Sequence, residues 1–373
     1  MEILLVISSL EAGGAERVMS ILANEWVGEE WDVRILTFDD GSTPPFYPLG
    51  EGVEHKPLGI YKVSSSLREK IGNNVERLRT LRREIAKFGP DIVLSFMDRT
   101  NVLTAFAARS LGLPVVVSER VHPGYHEIGS AWEALRLPAY WLASAVVVQT
   151  ERVRKYFSAP IRSNCVVIPN PVQVPTAGFE SSDLREWGDC GNEFLILGMG
   201  RLERQKGFDL LLDAAADLES NGVKEDWSVV VLGEGTEREA LLEQRAQRGL
   251  QDRVRFPGRV DNPGPWLQRA DLFVLPSRYE GFPNALCEAM AHGCPVVAAD
   301  CPSGPREIVR ENIDGILVDS EDSSALADGI KALIENPSER IRMAERGTDI
   351  LDRYGMERVR QQWEMLFEEV LEK

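Results

Sequence analysis

Short runs of apolar, mostly β-branched residues alternate along the chain with longer stretches in which apolar residues recur at helical spacing. Apolar runs without polar alternation are typical of strands buried on both faces of a parallel sheet. The first series is Ile3–Ile7, Val33–Phe38, Ile92–Phe96, Val115–Ser118, Ala145–Gln149 and Val166–Ile168. The second series is Phe194–Gly198, Val229–Leu232, Val254–Phe256, Leu272–Leu275, Val296–Ala299 and Ile316–Val318. The repeated pattern predicts an α/β protein with two doubly wound parallel sheets.

The segment between the two series, from Pro169 to about Asp189, is rich in Pro, Gly, Ser and Asp and is predicted to link two domains. A chain of 373 residues also exceeds the size at which a single core keeps growing. We therefore predict an N-terminal Rossmann-like domain over 1–172 and a C-terminal one over 173–356. Apolar positions near helical spacing in 357–373 predict a helix that packs back onto the first domain.

The formal net charge of −17 opposes binding to nucleic acid, which requires a basic surface. Met1 and Glu2 lead into the first strand without the basic start of a signal peptide, and no apolar stretch is long enough to span a bilayer. The sequence therefore predicts a cytoplasmic protein without a nucleic-acid partner.

One stretch reverses the acidic balance, because residues 62–87 contain eight Lys or Arg against three Glu. A basic helix of this kind suits an anionic lipid surface or a lipid-linked diphosphate, so it predicts peripheral contact with the inner face of the cell membrane. A solvated helix face is the alternative.

The cysteines have no CxxC pair and no cysteine and histidine cluster, so they are predicted to be buried, reduced thiols rather than disulfides or zinc ligands. They are Cys165, Cys190, Cys287, Cys294 and Cys301. No metal and no other cofactor is predicted.

Ligands of open parallel sheets bind at the carboxyl ends of the strands, so polar residues directly after strands are candidates for a site. Gly13 and Gly14 follow the first strand and allow a phosphate or sugar to approach a helix N-terminus, although a tight turn alone would also need them. Arg201 and Lys206 follow Phe194–Gly198 and offer a guanidinium fork and an ammonium to the two charges of a diphosphate. A solvated basic turn is the alternative for this second loop.

A third loop follows Leu272–Leu275 and leads into a predicted helix whose first turn suits Pro283. The free N–H groups of such a helix start bind phosphate oxygens, and the carboxylates of Glu280 and Glu288 accept hydrogen bonds from ribose or hexose hydroxyls. The alternative is that Glu280 only complements the helix dipole and Glu288 is an exposed helical residue.

Glu280 and Glu288, with Gly-Phe-Pro-Asn-Ala after the first of them, resemble the E-x7-E signature of retaining glycosyltransferases of family 4, also called glycosyltransferase group 1. Gly200-Arg201 with Lys206-Gly207 resembles the diphosphate motif of the same family. The resemblance implies the GT-B fold, in which two Rossmann-like domains face a cleft. It also implies transfer with retention of anomeric configuration and no requirement for a metal ion.

By this resemblance Arg201, Lys206, Glu280 and His122 form the catalytic set, with the two cations on the leaving diphosphate, Glu280 and His122 on the transferred sugar, and Glu288 on the ribose. His126 is an alternative to His122. The implied donor-binding residues are Gly14, Arg201, Lys206, Val260, Glu280, Gly281, Phe282, Pro283, Asn284, Ala285 and Glu288. The implied acceptor-binding residues are Gly13, Asp98, Arg99, Asn101 and Arg120.

The segment from Cys301 to Ile308 resembles a variant found in enzymes that build polyprenyl-linked or surface glycans, including N-acetylgalactosamine transferases, and it would place Arg306 near the site. It implies transfer of a hexose or N-acetylhexosamine from a nucleotide sugar, with UDP preferred, to a lipid-linked or surface glycan. A GDP-mannose-type mannosyltransferase is the alternative within the family.

Two alternatives to a glycosyltransferase come from other functional classes of protein. A nicotinamide-dependent oxidoreductase fits the alternation of strands and helices, but the chain lacks the expected GxGxxG fingerprint. A non-catalytic glycan-binding subunit is opposed by the joint presence of Arg201, Lys206, Glu280 and Glu288.

Overall fold

The computed structural model describes residues 1–61, 66–174 and 193–373, and these residues form two compact units. Unit 1 contains Met1–Pro171 and Glu357–Lys373, and unit 2 contains Val172–Met356. Most of the predicted linker lies outside the described residues, as do Lys62 and Cys190.

The sheet of unit 1 has seven strands in the order β3-β2-β1-β4-β5-β6-β7, all parallel. They are β1 (Glu2–Ile7), β2 (Asp32–Thr37), β3 (Val53–Pro57), β4 (Ile92–Phe96), β5 (Val115–Ser118), β6 (Ala145–Val148) and β7 (Cys165–Val167). Consecutive side chains from Ile3 to Ile7 are all fully buried, because the central strands are covered on both faces.

Strand β3 was not predicted from the sequence. Its residues, Val-Glu-His-Lys-Pro, form no apolar run, and they are exposed or only half-buried because β3 is the edge strand of the sheet. Pairing with β2 rather than burial of apolar side chains therefore makes this segment a strand.

The helices of unit 1 alternate with its strands. They are α1 (Gly14–Gly28), α2 (Leu67–Phe88), α3 (Asp98–Arg109), α4 (Ser130–Leu142), α5 (Glu151–Tyr156) and α6 (Ala159–Arg162). Helix α2 has both of its ends encoded locally, since Ser66 Oγ accepts a hydrogen bond from the Glu69 N–H at 3.2 Å and Gly89 ends the helix with φ +65°.

The sheet of unit 2 has six parallel strands in the order β10-β9-β8-β11-β12-β13. They are β8 (Phe194–Met199), β9 (Trp227–Leu232), β10 (Val254–Gly258), β11 (Leu272–Leu275), β12 (Val296–Ala299) and β13 (Ile316–Val318). Ile196 packs in one hydrophobic cluster, whereas Leu195 and Leu197 pack in another. Because alternate side chains of a strand point to opposite faces, the sheet has a core on each side.

The remaining helices lie between and after the strands of unit 2, and the last of them belongs to unit 1 from Glu357 onward. They are α7 (Phe208–Ser220), α8 (Arg238–Gln247), α9 (Gly264–Arg269), α10 (Asn284–Ala291), α11 (Pro305–Ile308), α12 (Ser323–Glu335), α13 (Pro337–Gly347), α14 (Ile350–Tyr354) and α15 (Met356–Leu371). No helix of the described residues combines the length and the apolar character that crossing a bilayer requires.

Helix α15 contributes to the core of unit 1. Trp363 is fully buried, with its ring centroid 6.5 Å from that of Trp26 and 6.2 Å from that of Phe96. Phe367 lies 5.4 Å from Trp26 by the same measure. These aromatic contacts pack the last helix of the chain against α1 and β4 of unit 1.

The strand order of each sheet reverses beside its first strand. Strand β1 lies between β2 and β4, and β8 lies between β9 and β11. Connections leave these neighbouring strands in opposite directions, so a crevice opens at their carboxyl ends. The predicted α/β class with two doubly wound parallel sheets is confirmed.

Candidate active site

The carboxyl ends of β8 and β11 bring together two of the predicted residues. Lys206 Nζ donates a 2.7 Å hydrogen bond to Glu280 Oε1. The Lys206 side chain is 18% exposed and that of Glu280 only 5%, so the carboxylate is buried beside its counter-charge. Pairing makes this burial tolerable, because a buried carboxylate without a partner is strongly disfavoured.

Glycine at position 207 lets the two loops touch. Gly207 has φ +68°, and a Cβ built there would lie 2.0 Å from the backbone oxygen of Pro276. Lys206 ends a short 3-10 turn, Arg204–Lys206, and α7 begins at Phe208 directly after the glycine. Only a residue without a side chain suits this close approach.

Two further contacts join the same loops. Arg278 donates two hydrogen bonds to the Asp209 carboxylate, at 2.7 and 2.6 Å, and Gln205 Nε2 donates to the Tyr279 carbonyl at 2.9 Å. Burial opposes ionisation of Asp209, but the bonds from Arg278 hold the pKa of Asp209 below its ordinary value. These three side chains were not predicted from the sequence, although Asp209 lies in the first helical turn after the loop that carries Arg201 and Lys206.

Arg201 lies on the same loop and is largely exposed. Its side chain is 63% exposed, and Nη1 lies 3.2 Å from Glu203 Oε1. An ion pair as exposed as this one contributes little free energy, so the guanidinium can exchange Glu203 for another anion at small cost.

Glu288 lies on α10, which begins at Asn284 with Pro283 as its N-cap residue. Its side chain is buried, so the alternative of an exposed Glu288 is wrong. Phe282 is also buried and packs edge-on against Tyr354, with ring centroids 5.7 Å apart.

The other predicted donor residues of unit 2 surround this start of α10. Gly281 and Pro283 are buried, while Asn284 and Ala285 are half-buried. Val260 is half-buried and packs against the hydrophobic cluster that contains Trp266 and Phe282. Arg306 donates to Asp300 Oδ2 at 2.8 Å and is exposed.

Two buried serines that the sequence analysis did not single out bond to Glu280. Ser277 Oγ donates to Glu280 Oε1 at 2.7 Å, and Ser303 Oγ donates to the Glu280 backbone oxygen. Both serines follow strands, β11 and β12 respectively, and this position is the signal that could have identified them.

In unit 1 the predicted glycines lie at the start of α1. Gly13 is the N-cap residue, and Gly14 is the first residue of the helix. A Cβ built on Gly13 would lie 2.1 Å from Glu16 Oε2, so the glycine gives the Glu16 carboxylate room to fold over the helix start. This position suits an anion, since the N–H groups and dipole of the helix favour negative charge.

His122 is buried in the loop after β5. Its Nδ1 accepts a 3.1 Å hydrogen bond from the Gly124 N–H, and its ring packs against Tyr125 and Tyr156 with centroids 4.9 and 5.4 Å apart. Burial, and then the charge of Arg152, lower the pKa of His122. The imidazole is therefore neutral near pH 7 and carries its proton on Nε2.

Asn101 belongs to a buried polar network rather than to a surface. Ser95 Oγ donates to Asn101 Oδ1 at 2.8 Å, and Asn101 Nδ2 donates to the Ser118 carbonyl at 2.8 Å and to the Tyr140 hydroxyl at 3.2 Å. The Tyr140 hydroxyl in turn donates to Glu119 Oε2.

Glu119 is the ionisable centre of that network. Burial raises the pKa of Glu119 to about 7, against the opposing charge of Arg136, whose Nε lies 3.8 Å from Glu119 Oε2. Glu119 was not predicted as a functional residue from the sequence, because its burial depends on the helices packed over β5.

Asp98 and Arg99 hold the loop that follows β5. Asp98 Oδ2 lies 3.3 Å from His126 Nε2, and Arg99 Nη2 donates to the Ile128 carbonyl at 3.0 Å. His126, the alternative to His122, is therefore half exposed and lies beside Asp98, whereas His122 is buried.

Arg120 is buried with its guanidinium 4.3 Å from the centroid of the Phe96 ring. It donates to Ser118 Oγ at 3.2 Å and to Asn170 Oδ1. Burial lowers the pKa of Arg120 to about 9, although the carboxylate of Glu16 opposes the shift.

With this geometry in view, comparison with known families identifies the chain. Residues 12–174 match the family described as Glycosyltransferase Family 4, and residues 182–349 match the family described as Glycosyl transferases group 1. The protein is a glycosyltransferase of family 4, also called glycosyltransferase group 1.

Curated relatives of this glycosyltransferase include two enzymes of Campylobacter jejuni. The N-acetylgalactosamine-N,N'-diacetylbacillosaminyl-diphospho-undecaprenol 4-alpha-N-acetylgalactosaminyltransferase is 34% identical over 88% of this chain and 89% of its own. The second, an alpha-1,4-N-acetyl-D-galactosaminyltransferase named for a diNAcBac-PP-undecaprenol acceptor that already carries two GalNAc residues, is 27% identical over 99% of both chains.

Solved structures support the GT-B fold of the glycosyltransferase. The Anabaena protein HepE in complex with UDP superposes with a TM-score of 0.79 at 22% identity, covering 99% of this chain and all of that one. Sucrose-phosphate synthase from Thermosynechococcus elongatus superposes with a TM-score of 0.83 at 18% identity, covering 99% and 98% of the two chains.

The thiols of the described cysteines of the glycosyltransferase are free and buried. Burial raises the pKa of the Cys165 thiol to about 11 and those of Cys287, Cys294 and Cys301 further still, so these thiols stay protonated near neutral pH. Across residues 1–61, 66–174 and 193–373, no three His, Cys, Asp or Glu side chains cluster as metal ligands would.

Proposed function

We propose that this glycosyltransferase moves an N-acetylhexosamine or hexose from a UDP-linked donor to a polyprenyl-diphosphate-linked glycan, with retention of configuration and without a metal ion. The Lys206–Glu280 pair carries the proposal, since it places an ammonium and a carboxylate 2.7 Å apart at the carboxyl edge of the sheet. The names of the two Campylobacter relatives support the sugar and the acceptor class.

The leaving diphosphate is the group that most needs stabilisation. Negative charge develops on it as the bond from the anomeric carbon to the phosphate oxygen breaks, and Lys206 and Arg201 offer two positive charges to it. The backbone N–H groups at the start of α10 add further donors for phosphate oxygens. In this assignment Glu288 binds the ribose and Glu280 the transferred sugar.

In this proposal the configuration is retained because the acceptor attacks the anomeric carbon from the face on which the leaving group departs. The new bond forms between the anomeric carbon and the acceptor oxygen, and the acceptor's hydroxyl proton passes to the departing phosphate oxygen. No protein nucleophile is then needed, so stabilisation of the diphosphate by Arg201 and Lys206 makes the largest contribution to the rate enhancement.

For unit 1 we propose the roles that the resemblance implies. His122 is suited to contact a sugar hydroxyl, because its neutral ring presents an N–H at Nε2. Gly14 would receive the phosphate side of the donor, and Gly13, Asp98, Arg99 and Arg120 the acceptor. Asn101, which is fully buried and bonded within the core, would act by supporting the others.

We further propose that α2 meets the membrane that holds the acceptor. Its exposed stripe carries Ile71 and Val75 between Arg68, Arg79 and Arg82, a mixture of apolar and basic side chains that suits an anionic bilayer surface. Glu84 lies on another face of the helix, where its buried carboxylate pairs with the partly exposed Lys56 at 2.6 Å.

Vesicle binding tests the membrane contact. Wild type should sediment with phosphatidylglycerol vesicles but not with phosphatidylcholine vesicles, and an Arg68→Glu, Arg79→Glu, Arg82→Glu variant should remain in the supernatant. The control Arg109→Glu, Arg204→Glu changes exposed arginines outside α2 and should still sediment. Equal sedimentation of both variants would exclude α2 as the contact.

A thermal-shift screen tests the donor. UDP, GDP, ADP and NAD are added without metal to wild type, to Arg201→Ala with Glu288→Ala, and to the control Arg204→Ala, which removes an exposed arginine of the same loop. A nucleotide at about 100 times its Kd stabilises the native state by about 2.7 kcal/mol, which raises the melting temperature by about 5–10 °C.

A shift with UDP that survives Arg204→Ala and disappears in the double variant supports the proposal. A shift with GDP alone would favour the mannosyltransferase. A response to NAD alone, or to none of the nucleotides, would reject the donor site. Transfer in the presence of EDTA and the anomeric coupling constant of the product then test metal independence and retention.

A further inference from the structure

We infer that Ser277 is a positioning residue for recognition of the transferred sugar, because it holds Glu280 Oε1 and thereby leaves Oε2 to the substrate. The inference rests on the proposed function of Glu280. The decisive feature is that both hydrogen bonds to the Glu280 carboxylate end on one oxygen, one from Ser277 Oγ and one from Lys206 Nζ, each at 2.7 Å.

The second oxygen of Glu280 is left for a ligand. Within the described ranges no side chain or backbone group donates a hydrogen bond to Oε2. Oε2 is also not one of the fully buried polar atoms that lack a partner, so it is accessible to a ligand. A carboxylate has about four acceptor sites, so Oε2 can receive two sugar hydroxyls.

Ser277 fixes the plane of the Glu280 carboxylate. The terminal torsion of glutamate is broad, so an ammonium that donates to one oxygen leaves this plane loosely defined. A second donor on the same oxygen restricts the torsion, and Ser277 is fully buried and has no solvent to compete for its proton.

The backbone of Glu280 is held as well. Ser303 donates to the Glu280 backbone oxygen and adopts φ +76°, a conformation that residues with a Cβ rarely adopt. A Cβ on the next residue, Gly304, would lie 2.8 Å from Pro283 Cδ and 3.4 Å from Glu280 Cβ. The turn after β12 therefore packs against the loop after β11 and fixes the main chain that carries the carboxylate.

The inference predicts a specific loss in Ser277→Ala. Isothermal titration should show an affinity for UDP within about twofold of wild type and an affinity for UDP-N-acetylgalactosamine reduced by about tenfold or more, since one bond to a charged group disappears only where the sugar is read. In turnover, kcat/KM should fall by a similar factor. The matched control is Ser228→Ala on β9, a buried serine whose hydroxyl has no hydrogen-bond partner in the described part of the chain.

A double-mutant cycle tests the route of the effect. In a Glu280→Gln background, Ser277→Ala should cause little further loss of sugar affinity, whereas effects of independent residues add. The melting temperatures of the same four proteins report the Ser277–Glu280 contact without any ligand and should also be non-additive.

Three outcomes are decisive against the inference or its premise. Additive melting temperatures would refute the contact. Non-additive melting with equal loss of UDP and UDP-sugar affinity would make Ser277 merely structural and overturn the positioning role. If wild type binds neither ligand, the proposed function fails instead, and the melting cycle still decides the contact.

Discussion

Replacing Lys206 by methionine tests the ion pair on which the donor site is built. The substitution keeps most of the side-chain volume but removes the ammonium that lies 2.7 Å from Glu280 Oε1. Glu280 is then a buried carboxylate with the Ser277 hydroxyl as its remaining donor within the described residues. Removal of one partner from a buried pair costs about 3–5 kcal/mol.

The partial exposure of Lys206 and the bond from Ser277 reduce the expected cost below this range, to about 2–3 kcal/mol. For a domain of this size that cost corresponds to a fall of about 4–12 °C in melting temperature. Differential scanning calorimetry of the variant measures it directly, and UDP should no longer raise the transition.

The double variant Lys206→Met, Glu280→Gln removes the unpaired charge and should regain most of the lost stability. Lys331→Met is the matched control, because Lys331 pairs with Glu335 at 3.9 Å on an exposed helix face and its loss should cost less than about 1 kcal/mol. Equal effects of Lys206→Met and Lys331→Met, or a double variant no more stable than the single one, would refute the reasoning.

Three other predictions concern the scaffold. Trp363→Ala should cost about 3–5 kcal/mol by emptying the aromatic cluster, whereas Met365→Ala, at a position 68% exposed, should leave the calorimetric transition nearly unchanged. Gly207→Ala should lower the melting temperature by about 5 °C or more and abolish the UDP shift, because its Cβ would meet the Pro276 carbonyl; normal stability would refute the close approach. The pKa of Glu119 is raised to about 7, so the native state keeps a proton that the unfolded chain releases above about pH 4.3. The contribution of Glu119 to the free energy of unfolding therefore falls as pH rises from about 4 to 7. The stabilising effect of Glu119→Gln on the melting temperature should therefore grow across that range, and a pH-independent difference would contradict the assignment.

Much of the fold is readable from the chain because buried parallel strands are local features. The runs Ile92–Phe96, Val115–Ser118 and Leu272–Leu275 coincide with observed strands, since each has at most one serine among apolar residues and is buried on both faces. Strand β3 escapes the same reasoning, because an edge strand needs a neighbour to pair with rather than apolar side chains of its own.

The candidate site was predictable in its residues but not in its contacts. Arg201, Lys206 and Glu280 lie in loops after strands, where ligands of such sheets bind, and Glu288 lies on the helix after the second loop, all of which a sequence can indicate. The bond between Lys206 and Glu280 joins residues 74 positions apart, and it exists because β8 and β11 are neighbours in the sheet.

By itself the sequence determined the class of fold, the positions of the loops after the strands and the residue types that suit a diphosphate, because apolar periodicity and glycine placement act over a few residues. Tertiary structure alone decided that Ser277 and Lys206 donate to one oxygen of the Glu280 carboxylate, that Ser303 holds the Glu280 backbone, and that Asn101 lies in the core. Strand order and burial set these features, and both depend on packing between segments that are distant in the chain.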